Sequence, residues 1–246
     1  MSSQKYTLEI AVFTLQGALD AANAGAHRLE LCENPAEGGT TPSNGLLISL
    51  PIFDIPVLPI IRPRGGHFVY SDLEFKCMLK DIESCNELSY HGIVTGMLTK
   101  DGNIHKEQLK QVMKVADGME VTFHRAFDRC RDQSKALEDI IECGCHRILT
   151  SGAYPTVSEG MQNIKALVKQ AGDRIIIMPG SGVNHKNLAE LIRETGASEY
   201  HTAARKSIHD PSVFSPETMQ EKLSYTGVDT AEIDKLLQIL HAHEAH

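Results

Sequence analysis

The stretch TLEIAVFTLQGALDAANAGAHRLELC, residues 7–32, predicts the unit from which the whole chain is built. The apolar run Thr7–Val12 is typical of a buried strand, and His27–Cys32 is a second one. Between them, apolar residues recur with helical spacing over Leu15–Ala24, after Thr14 as an N-cap. A strand, a helix and a second strand, with no hairpin turn, predict two parallel strands joined by a crossover helix.

The same unit recurs along the chain. Six further apolar runs have the length of strands: Val57–Arg62, Gly92–Leu98, Glu120–His124, His146–Thr150, Arg174–Met178 and Ser198–His201. Eight strands that alternate with helices predict an α/β fold, a (βα)8 TIM-type barrel of parallel strands. A doubly wound open sheet is the competing architecture, but the first strand–helix turn lacks the Gly-x-Gly-x-x-Gly pattern of that fold.

Polar residues ahead of the amphipathic segments predict where the helices begin. Ser71 with Glu74, and Thr156 with Glu159, have the spacing of a capping box. Single capping residues are predicted for three more helices: Asn103, Asn184 and Asp229.

The repeat predicts a barrel over residues 1–205 and a C-terminal extension over 206–246 within the same domain. Residues 206–228 are polar and contain two prolines, which predicts an irregular segment. A last amphipathic helix then runs to about His241, and it could pack under the barrel or on a partner subunit.

Composition excludes several classes of protein. A net charge of −8 over 246 residues argues against a general nucleic-acid binder, which would be basic. No run of about 18 apolar residues occurs, so no membrane span is expected. Six scattered cysteines do not form a disulfide framework, and we expect reduced thiols and a cytoplasmic location.

Ionisable side chains collect where the predicted strands end, which is where barrels of this kind place their active sites. Six of them are candidate catalytic residues: Glu9, Glu30, His124, Arg125, Asp128 and His201. Strand alternation lets the glutamates and histidines face the interior, where they could supply an acid and a base. The structural alternative is a buried layer of ion pairs and hydrogen-bonded core histidines.

Three loops are candidates for binding an anion. After the third strand, Arg62 and Arg64 flank a proline and precede Gly65–Gly66, so two guanidiniums adjoin a permissive backbone. A surface turn with solvated arginines is the alternative. The other candidate positions follow the sixth and seventh strands: Thr150, Ser151, Gly180, Ser181 and Gly182. In this fold the loops after strands seven and eight often hold phosphate.

Cys32 is the one cysteine at the predicted carboxyl end of a strand, and it is therefore the candidate metal ligand. Cu(I) prefers thiolate ligands. A single thiol is nevertheless a poor site, and Cys130 lies in a loop at the same end of the barrel.

Several strings resemble the CutC copper homeostasis family. They are Leu29–Cys32, Glu37–Ser43, Ile61–Gly66 with Tyr70–Asp72, Gly92–Gly96, Thr122–Asp128 and Arg147–Gly152. The resemblance spans about residues 7–205, and it implies a cytoplasmic (βα)8 barrel that self-associates and has a part in copper handling, with Cu(I) binding. Only Cys32 among the six cysteines lies within a family string.

Two functions therefore stay open. The first is a copper homeostasis protein that binds Cu(I). The second is an isomerase, lyase or hydrolase that acts on a small phosphorylated or carboxylated metabolite at the mouth of the barrel. A purely structural protein fits the cluster of charges least well.

Overall fold

Eight parallel strands alternate with helices in the computed structural model, which describes residues 5–50, 54–216, 218–221 and 223–244. The strands are Thr7–Val12 (β1), Arg28–Leu31 (β2), Val57–Pro59 (β3), Gly92–Thr95 (β4), Glu120–Phe123 (β5), Arg147–Thr150 (β6), Ile176–Pro179 (β7) and Glu199–Thr202 (β8). The helices are Leu15–Asn23 (α1), Asn44–Ser49 (α2), Asp72–Glu87 (α3), Lys106–Val115 (α4), Gln133–Cys143 (α5), Met161–Ala171 (α6), Leu188–Thr195 (α7) and Thr230–Glu244 (α8). Short 3-10 helices cover Pro35–Glu37 and Arg125–Arg129.

The strands form two four-stranded parallel sheets, in the orders β3-β2-β1-β8 and β4-β5-β6-β7. A parallel bridge between Ile60 and Val94 joins the sheets just beyond β3, and β7 lies beside β8. The predicted (βα)8 fold is therefore confirmed. Nearly every strand residue is buried, because helices cover the outer face and side chains fill the interior.

The C-terminal segment completes the ring of helices. Strands Arg205–Ile208 (β9) and Tyr225–Val228 (β10) pair antiparallel, where the sequence predicted an irregular segment. Helix α8 follows and packs against α7 and α1, so it is the eighth helix of the repeat and the hairpin is an insertion before it. The predicted division into a barrel, residues 1–205, and an extension, 206–246, stays a prediction, and its outer ends, residues 1–4 and 245–246, lie outside the described ranges.

Helix starts were predicted with mixed success. Both hydrogen bonds of the Ser71–Glu74 capping box are present at α3. The Thr156–Glu159 pair forms hydrogen bonds within a turn instead, and α6 begins after Gly160. Helices α4 and α7 begin after His105 and Asn187, two and three residues beyond the predicted caps, because Ile104 forms an isolated antiparallel bridge with Leu98 and residues 185–187 form a turn.

Two histidines at strand starts hold neighbouring strands in register. His27 donates its backbone N–H to Leu8 O and accepts the Leu8 N–H at Nδ1, both at 3.0 Å. His146 makes the same pair of bonds to Val121, at 2.9 and 3.1 Å. Each histidine precedes an arginine that points into the barrel, so β1–β2 and β5–β6 are built alike.

Candidate functional site

A buried ion-pair network crosses the interior below the mouth of the barrel. Arg28 on β2 donates to Glu9 on β1 and to Glu199 on β8, each at 2.5 Å. Arg147 on β6 donates to the same Glu199 Oε2 at 2.5 Å and to Glu120 at 3.2 Å. Glu199 is thus shared by two arginines, and these charges have the partners that burial demands.

His201 carries this network up to the cavity. Its Nδ1 lies 2.8 Å from Glu9 Oε1, and its Nε2 lies 3.7 Å from Glu30 Oε2. Burial opposes the charge of Glu9, but the charge of Arg28 and the His201 hydrogen bond outweigh it, so the pKa of Glu9 lies below its usual range. Burial also opposes the charge of His201, yet the bond to Glu9 and the charge of Glu30 raise the pKa of this histidine. His201 therefore lies between two carboxyl groups, and both favour its protonated form.

Glu30 is the carboxyl group that faces the cavity from this network. Burial and the nearby charge of Glu9 raise the pKa of Glu30 to about 7, against the opposing charge of His201. A carboxyl group that titrates near neutral pH can both take and give a proton.

A cavity of about 1380 Å³ opens at the carboxyl ends of the strands. Six Lys or Arg residues contribute to its wall, against four Asp or Glu. The basic set is Arg62, Lys100, Arg125, Arg129, Lys186 and Arg205, and the acidic set is Glu30, Glu37, Asp229 and Glu232. The wall is therefore more positive than the chain as a whole, whose net charge is −8.

Arg62 is a buried arginine of this wall. Its guanidinium donates to the carbonyl oxygens of Glu37, Gly39 and Gly66 at 2.6, 2.8 and 2.9 Å. These bonds depend on the loop before α2, where Gly39 takes a φ of 100° that favours glycine. Among the described residues, Arg62 forms no ion pair, although its exposed fraction is only 4%.

His124 lies next to Arg62 across the ring of Phe68. The Phe68 centroid is 5.0 Å from Arg62 Cζ and 5.0 Å from the His124 ring centroid. Burial, followed by the charge of Arg62, lowers the pKa of His124 to about 3. Its Nδ1 accepts the N–H of Ala126 at 3.1 Å, so the neutral ring carries its proton on Nε2.

Eight of the sixteen predicted site residues line the cavity. They are Glu30, Arg62, Gly66, His124, Arg125, Ser181, Gly182 and His201. Glu9 lies behind His201 and away from the cavity wall. Gly180 does not line the cavity. It lies beneath it, in what we call the floor, where a Cβ would lie 2.4 Å from Leu149 Cδ1.

Arg64, unlike Arg62, has its donors occupied away from the cavity. It forms an ion pair with Glu74 at 2.5 Å and donates to the carbonyl oxygens of Gly65, His67 and Val69. Arg64 thus stabilises its own loop. The sequence led us to expect an anion-binding residue at this position. Gly65 packs on the Glu37 carboxylate, 2.1 Å from where a Cβ would lie.

The carboxylate of Asp128, which lies in the 3-10 helix after β5, contacts the loop after β6 that was expected to bind an anion. This carboxylate accepts hydrogen bonds from the Thr150 hydroxyl, the Ser151 hydroxyl and N–H, and the Ala153 N–H. Arg125 pairs with the same carboxylate at 2.8 Å. Thr150 and Ser151 therefore bind a carboxylate of the chain itself, and Asp128 anchors a loop instead of standing in the cavity.

The wall residues that sequence reasoning missed include Phe68, Lys186 and Arg205. Arg205 follows β8 by three residues, a position in the last strand–helix loop that the fold itself marks as part of the mouth. Phe68 has no signal of its own in the sequence, because its contact with Arg62 depends on how the loop folds back.

Cys32 does not have the surroundings of a copper ligand. Burial, and then the charge of Glu30, raise the pKa of its thiol well above the usual value, which keeps it protonated. Within the described parts of the chain, no group of three or more His, Cys, Asp or Glu residues is arranged to hold a metal ion. The residues present therefore do not fit a Cu(I) site at Cys32.

Comparison with known proteins decides the family. Residues 6–206 match the CutC family. The chain belongs to the CutC family. A CutC family protein of Bacteroides thetaiotaomicron is 46% identical over 218 residues, 88% of each chain. The human copper homeostasis protein cutC homolog is 42% identical over 203 residues, 82% of this chain and 74% of its own.

A solved CutC structure shares the fold. The CutC crystal structure from Streptococcus agalactiae superposes with a TM-score of 0.76 at 37% identity, over 80% of this chain and 98% of the other. None of the described helices is long and apolar enough to cross a membrane.

Proposed function

We propose that this CutC-family protein acts in copper homeostasis, the role in the name of its human relative, through a small anionic molecule bound at the mouth of the barrel. The observation that carries the proposal is Arg62, a buried guanidinium with no carboxylate partner among the described residues. Burying an unpaired charge is costly, so an anionic ligand would supply the missing countercharge.

Two features of the wall support an anion. His124 is neutral and has a buried Nε2–H that no described residue accepts, an unpaired donor in a side chain of the cavity wall. The excess of Lys and Arg around the opening favours the approach of negative molecules to a protein that is otherwise negative.

We propose that the protein affects the handling of copper without binding Cu(I) at Cys32. Because the Cys32 thiol is protonated and stands without further metal ligands in the described chain, we do not assign it a Cu(I) site. The role we propose depends on the cavity and not on this thiol.

Thermal shift and isothermal titration with inorganic phosphate, citrate and pyruvate test the ligand class. We expect at least one of these anions to raise the Tm of the wild-type protein, and Arg62→Ala and His124→Phe to lose that response. Arg64→Ala is the matched control, since Arg64 lies in the same loop but away from the cavity. Wild-type protein that ignores all three anions, or an Arg64→Ala variant that loses the response as fully as Arg62→Ala, would contradict the anion site.

A genetic experiment tests the link to copper. Growth of a strain without the gene, in rising copper, should be impaired and should be restored by the wild-type gene and by Cys32→Ser. It should not be restored by His124→Phe. Restoration by His124→Phe would separate the copper role from the cavity.

We also propose a cytoplasmic location and self-association, which the family resemblance implies. Light scattering in solution tests the second point, because a monomer has a mass of 27.1 kDa. A monomeric mass at micromolar concentration would contradict it.

A further inference from the structure

We propose that the mouth of the barrel catalyses proton transfer at carbon in a small α-keto acid, with Glu30 as the base and His124 and Arg62 as the groups that hold the developing enolate. This inference rests on the proposed anion site and adds a reaction to it. All three side chains contribute to the wall of one cavity.

His124 is the donor that a carbonyl oxygen requires. Its Nδ1 is occupied by the Ala126 N–H at 3.1 Å, which leaves Nε2–H as its free donor. Burial and the charge of Arg62 keep the pKa of the ring near 3, so the imidazole is neutral at physiological pH. A neutral imidazole held in a fixed position can stabilise negative charge as it develops on an oxygen.

Arg62 supplies the fixed positive charge beside that donor. The three carbonyl oxygens that accept its hydrogen bonds hold the guanidinium in place without cancelling its charge. The Phe68 ring, 5.0 Å from both groups, fixes the spacing between the guanidinium and the imidazole. The carboxylate and the adjacent carbonyl oxygen of an α-keto acid would therefore contact the Arg62 charge and the His124 donor at the same time.

Glu30 supplies the base from β2, which pairs with β3, the strand that Arg62 follows. His201 lies 3.7 Å from its carboxylate, within ion-pair range but too far for a hydrogen bond. Glu9 holds His201 at 2.8 Å and acts as a positioning residue. The pKa of Glu30, about 7, suits a group that must both take and return a proton.

The step balances without an oxidant or a metal. The Glu30 carboxylate takes a proton from the carbon next to the carbonyl group, and the C–H electron pair becomes the carbon–carbon double bond of the enolate. The carbonyl π pair moves to the oxygen, where the His124 Nε2–H and the charge of Arg62 stabilise it. Return of a proton from Glu30 to carbon regenerates the keto acid and the carboxylate.

Deuterium exchange of pyruvate and oxaloacetate in D2O, followed by proton NMR, tests this step. We expect wild-type protein to speed the loss of the C–H signal by about 100-fold or more over buffer, the range of general acid–base catalysis. Glu30→Gln should lose the exchange but still bind the keto acid in calorimetry. Glu83→Gln, an exposed carboxylate paired with Lys80, is the control and should exchange as the wild type does.

The pH profile adds a readout that a structural role would not produce. The exchange rate should rise about tenfold per pH unit below the pKa of Glu30 and level off above about pH 7, because only the carboxylate form acts.

The outcomes separate this inference from the anion site. Keto acid that binds to wild-type protein but exchanges no faster than in buffer overturns the proton transfer and leaves the anion site standing. Exchange by Glu30→Gln at the wild-type rate also overturns it. Failure of every anion to bind overturns both.

Discussion

The imidazole of His201 and the carboxylate of Glu9 meet across the junction of the last and first strands, with Nδ1 and Oε1 2.8 Å apart. Glu9 is also held by Arg28, so one carboxylate links the ion-pair network below to the histidine at the cavity above. The histidine in turn faces Glu30. Glu9 and Arg28, which lie behind the wall, thus contribute to the acid–base character of the cavity.

Glu30 should weaken the fold at alkaline pH. Its folded-state pKa is raised from 4.5 to about 7, so ionisation costs the folded state more than the unfolded state, and that cost is complete above about pH 8. Glu30→Gln should therefore raise the free energy of unfolding there by on the order of 3 kcal/mol. The gain should shrink as the pH falls and vanish below about 4.5, where both states of the wild type are protonated. Urea unfolding across this pH range measures it, and equal stability of the two proteins at pH 8 would show that Glu30 ionises without cost.

Glu199 and Glu120 offer a matched pair of substitutions, since both bind Arg147. Glu199→Gln leaves two buried arginines short of a partner and should lower the free energy of unfolding by about 3–5 kcal/mol. Glu120→Gln removes a half-exposed partner at 3.2 Å and should cost less than about 1 kcal/mol. Denaturant titration at neutral pH compares them. Similar losses in the two variants would mean that Glu199 is not the centre of the network.

Cys32→Ser should leave the affinity for Cu(I) unchanged within about twofold, because a buried protonated thiol without other metal ligands binds copper poorly. Competition with a colorimetric Cu(I) chelator measures the affinity. Cys77→Ser, which alters an exposed thiol on α3, is the control. A large loss of affinity in Cys32→Ser alone would restore copper binding at this position.

Gly180→Ala should disturb the floor of the cavity. A Cβ there would lie 2.4 Å from Leu149 Cδ1 and 3.2 Å from His201 Cδ2, so the core must shift at a cost of about 1–3 kcal/mol. Gly45→Ala is the control, because nothing lies within 4 Å of its Cβ position in α2. It should change the free energy of unfolding by less than about 1 kcal/mol, in the stabilising direction. Thermal unfolding of both variants measures these two changes in stability.

The fold could be predicted from the sequence because hydrophobic period and turn residues are local signals. The run Thr7–Val12 forms a buried strand as expected, and the predicted strand Gly92–Leu98 contains the buried strand Gly92–Thr95. The hairpin of β9 and β10 was missed because its strands are polar and exposed at one end, so they lack the alternation that identifies a strand.

The site was predictable only in part, because residue type does not reveal the partner. Arg62 and Arg64 look equivalent in the sequence, but Arg64 binds the carboxylate of Glu74, whereas Arg62 has no such partner in the described part of the chain. Asp128 looks like a catalytic acid, yet its loop turns its carboxylate onto backbone N–H groups. The partner of each side chain depends on how loops that are distant in sequence pack against one another.

The shared carboxylate of Glu199 bears on the order in which the barrel can be completed during synthesis. Arg28 and Arg147 emerge from the ribosome before Glu199 does, and each would otherwise face the interior with part of its charge unmatched. Closing the barrel is therefore unfavourable for a nascent chain that ends before β8, because two guanidiniums would lose their water without gaining the Glu199 carboxylate. The last strand, β8, therefore supplies the carboxylate that allows the interior to close. Because β8 also carries His201, the candidate site is completed when the barrel closes.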